Sequence, residues 1–283
     1  MSGISWLNDL KPRASWGVTG NNSIGNYSSL AYMSQNGYIL GNNFTSGYLI
    51  GSFANTKLGW EKSKQLNLGL DLSAFNNKLS LTTEYYKRIT SDMLFSMQVP
   101  AIAGFTSSLS NVGEVENRGF EFEIGYKTKV NKIGLWSNFN ISFNRNKVLE
   151  LRGENDKELW NVADLYNACY LSKVGRPIGM IIGYKVVGIF NNWQEIAESP
   201  TQDGAVPGDF KYFDASGDGT ISYGIGPDMV EIGNPWPKYT WGLNFGGDYK
   251  NFDLSVLLTG AMDYDIYRRV EGSTLNLDGV FNG

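Results

Sequence analysis

Long segments of this chain alternate between hydrophobic and polar residues. In residues 117–146 the hydrophobic positions are Phe120, Phe122, Ile124, Tyr126 and Val130, followed after a break by Phe139, Ile141 and Phe143. Because successive side chains of a β-strand point to opposite faces, this period of two indicates two strands that each have one apolar face. The polar break at Asn131-Lys132 predicts a tight turn between them.

The same pattern predicts two further hairpins and one additional strand. One hairpin covers residues 66–85 with a turn at Asn76-Asn77, and the other covers residues 239–258 with a turn at Lys250-Asn251. A shorter alternation around Trp16 adds a strand near the start of the chain. The pattern therefore predicts about seven long antiparallel strands.

The connections between the hairpins are much longer than the turns within them. They cover residues 20–60, 91–112 and 148–237. Short turns on one side and long loops on the other are typical of transmembrane β-barrels. If the three tight turns lie on one side, residues 148–237 form one loop of roughly 90 residues on the other side. The apolar run 180–190 is then a strand inside that loop.

Strand length separates a membrane sheet from a soluble one. The predicted strands span about 10 residues or more, whereas soluble sheets commonly use about 5–6 and a bilayer requires about 9–11 tilted residues. Aromatic residues that would form interfacial girdles near the strand ends are Tyr85, Tyr86, Tyr126, Trp136, Tyr239 and Trp241. These features favour an all-β, antiparallel transmembrane β-barrel. A large soluble β-sandwich or solenoid stays open, since aromatic alternation is also ordinary there.

Composition narrows the function classes. Of the 283 residues, 42% are hydrophobic and 18% charged, and no run of about 18 apolar residues could span a membrane as a helix. The net charge of −4 gives no basic surface for nucleic acid. Because the chain has no histidine, Cys169 cannot form a Cys/His catalytic pair, and His-ligated zinc is excluded. The first residues show no signal peptide, so we expect the start of an exported protein to lie upstream.

Six stretches of the sequence resemble the SusC/RagA family of TonB-dependent outer-membrane transporters from Bacteroidetes. They are residues 6–27, 59–94, 99–124 (with NVGEVENRGFEFEI), 175–190, 207–221 (with DASGDGTI) and 232–260. The resemblance implies a large barrel around an N-terminal plug. Residues 1–283 would then be a partial barrel domain, with about seven strands from the C-terminal half and long extracellular loops. No plug domain or TonB-contacting segment is recognisable in the chain, so the plug is expected to be absent from it.

The same resemblance implies a location in the bacterial outer membrane and the uptake of oligosaccharides or peptides. TonB would supply the energy through an N-terminal part that this chain lacks, and a SusD-like surface lipoprotein would dock on the extracellular loops. Residues 148–237 would be the large extracellular loop. Such a protein is not an enzyme and requires no cofactor. Two other classes stay open: a secreted soluble β-protein that binds glycans or acts as an adhesin, and a passive porin.

Residues 214–228 contain a candidate calcium loop. The predicted ligands are the side chains of Asp214, Ser216, Asp218 and Asp228 and the carbonyl of Thr220. Gly219 would allow the sharp turn, and Asp228 would replace the missing acid at the twelfth position, which is Ile225. The hypothesis is a structural Ca²⁺ that stabilises the loop. The alternative is a turn in which these side chains bind the backbone.

Three loop aromatics, Trp160, Tyr170 and Trp193, are candidates for contact with substrate or partner. They could stack on sugar rings or peptide side chains, and packing within the loop is the competing interpretation. The segment 192–199 predicts a short surface helix with Asn191 or Asn192 as its N-cap.

One pair of carboxylates has a spacing that an enzyme could use. Glu121 and Glu123 point to the same side of a strand, about 6.6–7 Å apart, which is within the range of an inverting glycosidase. The same parity continues into Lys127 and Lys129. A water-facing surface explains the whole series, so we predict no catalytic residues.

Overall fold

The protein is built almost entirely from β-strands. The computed structural model describes residues 5–51, 54–98, 107–151, 158–162, 169–224 and 226–267. In chain order the elements are β1 Leu7–Asn21, β2 Met33–Leu40, β3 Asn43–Ile50, β4 Glu61–Ala74, β5 Leu79–Gln98, β6 Ser107–Val130, β7 Ile133–Leu151, β8 Glu158–Val162, β9 Cys169–Lys173, β10 Met180–Tyr184, β11 Val186–Ile189, α1 Trp193–Ala197, β12 Phe210–Tyr212, β13 Met229–Gly233, β14 Tyr239–Tyr249 and β15 Phe252–Met262. The chain divides into two compact units, one formed by residues 1–158, 173–175 and 239–261, the other by residues 159–172, 176–238 and 262–283.

The first unit contains a seven-stranded sheet in the order β1-β4-β5-β6-β7-β14-β15. Pairing is antiparallel from β1 to β14. The three predicted turns are confirmed, because Asn76, Asn77, Asn131 and Lys250 adopt positive φ angles of 58°, 60°, 56° and 53°. The sheet is open, with β1 and β15 at its edges. The seven long strands predicted from the sequence are therefore confirmed as one open sheet.

The register places hydrophobic side chains in rows on one face of the sheet. Three successive rows from β4 to β14 are Leu68, Tyr85, Phe120, Phe143 and Tyr239; Leu70, Thr83, Phe122, Ile141 and Trp241; and Leu72, Leu81, Ile124, Phe139 and Leu243. Much of this apolar face is exposed; Phe120 is 43% accessible and Leu254 on β15 is 68% accessible. Such a continuous exposed apolar surface indicates contact with an apolar environment.

The opposite, polar face carries the charged and amide positions. Two residues of the predicted aromatic girdle, Tyr86 and Trp136, lie on this face, so their assignment to the girdle is wrong. Each ring covers a glycine of the neighbouring strand. A Cβ atom at Gly119 would lie 2.7 Å from Tyr86 Cε1, and one at Gly246 would lie 2.7 Å from Trp136 Cζ2. The missing Cβ atoms leave room for large rings on a face that is otherwise polar.

Strands β5, β6 and β7 extend well past the predicted hairpins at the end opposite the turns. They contain 20, 24 and 19 residues. The connection predicted over residues 91–112 is therefore wrong at both ends, and residues 99–106 lie outside the described residues. Val115 and Val148, which pair in register, are 3% and 0% exposed at this end. In the described part of the chain, no helix is long and apolar enough to cross a membrane.

The segment 20–60 contains a hairpin that the sequence pattern did not predict. Strands β2 and β3 pair from Met33–Ile50 to Leu40–Asn43, with a turn at Gly41, whose φ is 62°. A positive φ at the turn is readily adopted by glycine, which has no Cβ atom. Most side chains of both strands are exposed. The long connection predicted here is therefore partly a two-stranded ribbon.

The second unit contains a four-stranded sheet in the order β13-β10-β9-β8 and a two-stranded sheet formed by β11 and β12. Its small core consists of Leu171, Met180 and Ile182, with Met229 packed against them. The predicted strand at 180–190 is two strands, β10 and β11, which belong to different sheets. The predicted helix is confirmed as α1, and the Asn192 side chain caps it by accepting a hydrogen bond from the Glu195 N–H.

Gly119 provides a test of the packing between the central strands. A Cβ atom at this position would lie 2.3 Å from the Phe143 carbonyl oxygen and 2.6 Å from the Tyr86 hydroxyl. We expect Gly119→Val in the complete protein to lower the free energy of unfolding by about 1–3 kcal/mol, because overpacking forces the backbone apart. The measurement is the denaturant midpoint of the folded barrel.

Gly17→Val is the matched control for this substitution. Gly17 lies on the same face in β1, and a Cβ atom there would meet nothing within 4 Å. Its unfolding midpoint should stay near that of the parent protein. Equal loss of stability in both variants would contradict the packing described for Gly119.

Candidate functional site

A charged cluster on the polar face links three neighbouring strands. Arg13 on β1 donates from Nη1 to Glu84 Oε2 at 3.0 Å and from Nη2 to Asp71 Oδ1 at 3.1 Å. The guanidinium reaches Glu84 by crossing Gly69, where a Cβ atom would lie 2.9 Å from Nη2. The cluster therefore depends on the absence of a side chain at Gly69. One cation is shared by two carboxylates, which leaves this part of the face negatively charged.

Hydrogen bonds extend this polar surface across the central strands. Tyr86 donates its hydroxyl to Asn144 Oδ1 at 3.0 Å, and Arg88 donates Nε to Gln65 Oε1 at 2.8 Å. Two adjoining grooves of ≈310 Å³ and ≈330 Å³ lie here and share Glu84 and Glu121 in their lining. Because the grooves offer both donors and acceptors, they suit water and polar solutes. The predicted water-facing role of Glu121 agrees with this position.

The loop 214–228 is organised around a buried carboxylate. Asp228 is 0% exposed. Its Oδ1 accepts hydrogen bonds from the N–H groups of Ala215 and Ser216, each at 3.1 Å, and its Oδ2 accepts from the Ser222 N–H at 2.8 Å and the Ser222 hydroxyl at 2.7 Å. These donors favour the ionised form, so the hydrogen bonds from Ser222 and Ser216 lower the pKa of Asp228 well below its usual range.

Asp214 performs a similar role at the start of the loop. Its carboxylate accepts hydrogen bonds from the Gly219 N–H at 2.8 Å and the Gly217 N–H at 2.6 Å. These bonds, first the one from Gly219, lower the pKa of Asp214. Thr201 holds the loop near Gly219, because the Thr201 N–H donates to the Gly219 carbonyl at 2.8 Å. The loop is therefore closed by hydrogen bonds between carboxylates and backbone.

This geometry links Asp214, Ser216, Asp218 and Asp228 through hydrogen bonds, in which several of their oxygens already accept backbone N–H groups. Asp218 accepts from the Thr220 N–H at 2.8 Å, and the Ser216 hydroxyl donates to Asp214 at 3.0 Å. Across the described residues, no three His, Cys, Asp or Glu side chains are grouped so that they could hold a metal ion. Ile225 lies outside the described residues. A Ca²⁺ ion bound by residues 214–228 stays a prediction.

The three predicted contact aromatics lie on different elements. Tyr170 is on β9 opposite Ile181, and Trp193 is the first residue of α1 and 66% exposed. Trp160 belongs to β8, and its side chain lies outside the described part of the structure. Contact of these residues with a substrate or partner stays a prediction.

An aromatic cluster that the sequence did not indicate lies beside the 214–228 loop. The Tyr184 ring is 5.2 Å from the Tyr212 ring and 6.3 Å from the Tyr223 ring, measured between centroids. The Tyr184 hydroxyl lies 2.9 Å from the carbonyl oxygens of Ser222 and Gly224. Burial raises the pKa of Tyr223. Since the three tyrosines are spread over 40 residues, no local pattern predicted their association.

Asp228→Asn tests the organisation of the loop. The amide keeps one acceptor oxygen but turns an NH₂ group toward backbone N–H donors, so the loop should loosen. We expect faster cleavage within residues 201–228 by a protease acting on the complete protein at neutral pH.

In the parent protein the lowered pKa values of Asp214 and Asp228 imply stability that is complete above about pH 4 and is lost as the pH falls through the folded-state values.

Asp218→Asn is the matched control, because Asp218 is exposed and accepts a single backbone hydrogen bond. In calcium-free buffer its cleavage rate should stay near that of the parent, because any effect of Asp218 as a calcium ligand is then removed. A parent loop that becomes protease-sensitive when EGTA is added would support the calcium prediction. Equal cleavage of the parent and Asp228→Asn proteins would contradict the role assigned to the buried carboxylate.

Comparisons with known proteins agree with this architecture. The family model described as "TonB dependent receptor-like, beta-barrel" matches residues 2–282. TonB-dependent receptor P3 of Formosa agariphila is 36% identical over 260 residues, which are 90% of this chain and 26% of that protein. TonB-dependent receptor SusC of Bacteroides thetaiotaomicron is 30% identical over 275 residues, 93% of this chain and 26% of that protein.

Solved structures show the same similarity in three dimensions. The RagAB peptide importer in the "open-open" state superposes with a TM-score of 0.74 at 25% identity, over 92% of this chain and 27% of that one. The RagAB peptide transporter gives 0.72 at 26% identity, over 91% of this chain and 27% of that one. The chain thus spans about a quarter of the length of the curated relatives it matches.

Proposed function

Because this chain belongs to the TonB-dependent receptor-like β-barrel family, we propose that it forms part of the wall of an importer for oligosaccharides or peptides. SusC and RagA-type relatives are outer-membrane proteins, and the outer membrane is the location of this chain. Members of the family are transporters and not enzymes. Uptake of a nutrient across the outer membrane is therefore the activity to which these strands contribute.

The observation that carries the proposal is the division of the seven-stranded sheet into an exposed apolar face and a polar face. Rows that contain Phe120, Phe122 and Ile124 would contact the hydrocarbon of the bilayer. The opposite rows, which contain Arg13, Glu84 and Glu121, would face a water-filled lumen. A soluble sheet of this size would need a second protein layer over the apolar face.

The loops supply the second part of the proposal. The chain between β7 and β14 would form the large extracellular loop predicted over residues 148–237, because β7 ends and β14 begins at the end of the sheet opposite the tight turns; residues 148–151 themselves belong to β7. A SusD-like surface lipoprotein would dock on the extracellular loops and present the substrate. This assignment is supported by similarity to SusC and to the RagAB importer. TonB would act through a part of the receptor outside this chain.

Nitroxide labels in the complete receptor test which face meets lipid. We expect labels at Phe122, Ile141 and Leu254 to show high collision rates with lipid-dissolved oxygen in a reconstituted bilayer. Glu123 and Asn140, each next to one of these positions, are the matched controls. Labels there should respond to a water-soluble nickel reagent instead, because neighbouring residues of a strand face opposite sides.

Equal accessibility to both reagents at neighbouring positions would contradict a lipid-facing wall. Protection of Phe122, Ile141 and Leu254 from both reagents would indicate a second protein layer. A complete protein that is monodisperse without detergent would support the secreted soluble alternative. These outcomes therefore separate the membrane wall from a glycan-binding or adhesive β-protein.

Growth of a gene-deletion strain tests the importer activity. We expect the strain to lose growth on one oligosaccharide or peptide mixture that supports the parent, and to keep growth on monosaccharides and free amino acids, which are smaller. Growth is measured as the rate on each sole nutrient source. Complementation with the complete gene should restore it. Unchanged growth on every oligosaccharide and peptide source tested would contradict the proposed activity.

A further inference from the structure

On β5, β6 and β7, a row of basic side chains lies directly beyond an aromatic row of the apolar face, and on β4 and β1 the same row continues as Leu66 and Trp16. The aromatic row is formed by Tyr85, Phe120, Phe143 and Tyr239. Two residues farther along the strands, away from the tight turns, the register aligns Lys87, Arg118 and Arg145. Since two residues are one period of a strand, the basic row faces the same side as the aromatic row and lies about 7 Å from it.

The next row outward adds further positive charge. It aligns Lys64, Ile89, Glu116 and Lys147. We call Lys64, Lys87, Arg118, Arg145 and Lys147 the basic belt. Glu116 lies 2.9 Å from Lys87 Nζ and 3.6 Å from Arg118 Nε. Within the described residues, Lys64, Arg145 and Lys147 take part in no ion pair. The next cross-strand pair outward is Glu114 and Glu150, which is separated from the belt by a register shift between Glu114 and Val115.

This arrangement is unfavourable without a counter-charge. Lys87, Arg118 and Arg145 are directly opposite one another on adjacent strands, and like charges in such cross-strand positions destabilise a sheet. Glu116 offsets part of the repulsion, but the five cations of the belt outnumber Glu116 and the next acidic pair outward, Glu114 and Glu150. Arg118, Arg145 and Lys147 are also exposed on the outer surface of the sheet. An excess of positive charge therefore remains on the outer surface of the sheet at this level, and anions from outside the described protein would offset it.

We propose that the basic belt binds the phosphate groups of an anionic lipid in the outer leaflet of the membrane. The inference rests on the proposed orientation, in which the tight turns are periplasmic and the opposite strand ends are extracellular. Aromatic residues of a barrel mark the interface between hydrocarbon and headgroups. The belt, one to two rows farther out, is then at the depth of the headgroups. Basic clusters at this depth recognise lipid phosphates.

The position of the belt favours a lipid over a soluble anion or a protein partner. The belt is continuous with the apolar rows beneath it, so one molecule could place acyl chains on Phe120 and Phe143 and a phosphate on Arg118 and Arg145. Guanidinium groups also bind phosphate in a bidentate manner. The belt lies within the paired strands β4 to β7 of the sheet, whereas a partner lipoprotein would dock on the loops that connect the strands.

Binding of monophosphoryl lipid A to the complete receptor tests the proposal. The receptor is purified in detergent, and fluorescently labelled lipid is titrated and followed by anisotropy. We expect Arg118→Gln/Arg145→Gln to weaken binding by about thirtyfold. Each interfacial cation contributes a factor of about five to six in affinity, and the double variant removes two of them. Binding to the parent should also weaken as salt is raised, since salt screens exposed charges. Lipid A from which the phosphate has been removed should bind weakly to all variants.

The matched control is Lys127→Gln/Lys129→Gln, which removes the same charge from the polar face of the same strand. Its affinity should equal that of the parent. Arg118→Lys/Arg145→Lys keeps the charge and should keep most of the binding, which separates loss of charge from loss of folding. Equal binding by the glutamine and parent proteins, or equal binding of dephosphorylated lipid, would overturn the inference. Lipid accessibility at Phe122 is measured independently, so the wall proposal can survive that result.

Discussion

The backbone register of the seven-stranded sheet is the constraint on which both of its faces depend. Because side chains alternate with a period of two, a slip of one residue in any strand pair would move every side chain of that strand to the other face. In β6 the slip would exchange Phe122 for Glu123 against hydrocarbon, where charged side chains are costly. A membrane on one side and water on the other therefore specify the register more strongly than a protein core on one side alone.

Glycines on the polar face have a function that follows from this register. Gly69, Gly119 and Gly246 each lie under a large side chain from an adjacent strand, namely Arg13, Tyr86 and Trp136. A long side chain that lies flat across a glycine stays close to the sheet instead of projecting into the lumen. The same device occurs on the apolar face, where the Trp241 ring covers Gly260. Glycine is therefore required at these positions by the large side chain of the neighbouring strand, and not by the backbone conformation of a turn.

The sequence predicted the features that depend on local periodicity. The hairpins at Asn76-Asn77, Asn131-Lys132 and Lys250-Asn251 are confirmed. They could be predicted because the alternation and the polar turn residues of each hairpin lie in one continuous stretch of sequence. The girdle role predicted for Tyr86 and Trp136 was wrong, because both residues lie at polar-face positions of their strands. The burial of Asp228 and the cluster around Tyr184 could not be predicted, since both arise from residues brought together by the fold of the loop.

The two open edges limit what this sheet can do by itself. β1 and β15 present backbone N–H and C=O groups that no strand of the described sheet pairs with. In hydrocarbon such unpaired groups are costly, and barrels avoid them by closing. The seven strands therefore reach their stable state only when further strands pair with both edges. These processes then depend on one another. Lipid on the apolar face selects the register, and insertion into lipid requires that the barrel closes, because closure pairs the edge strands.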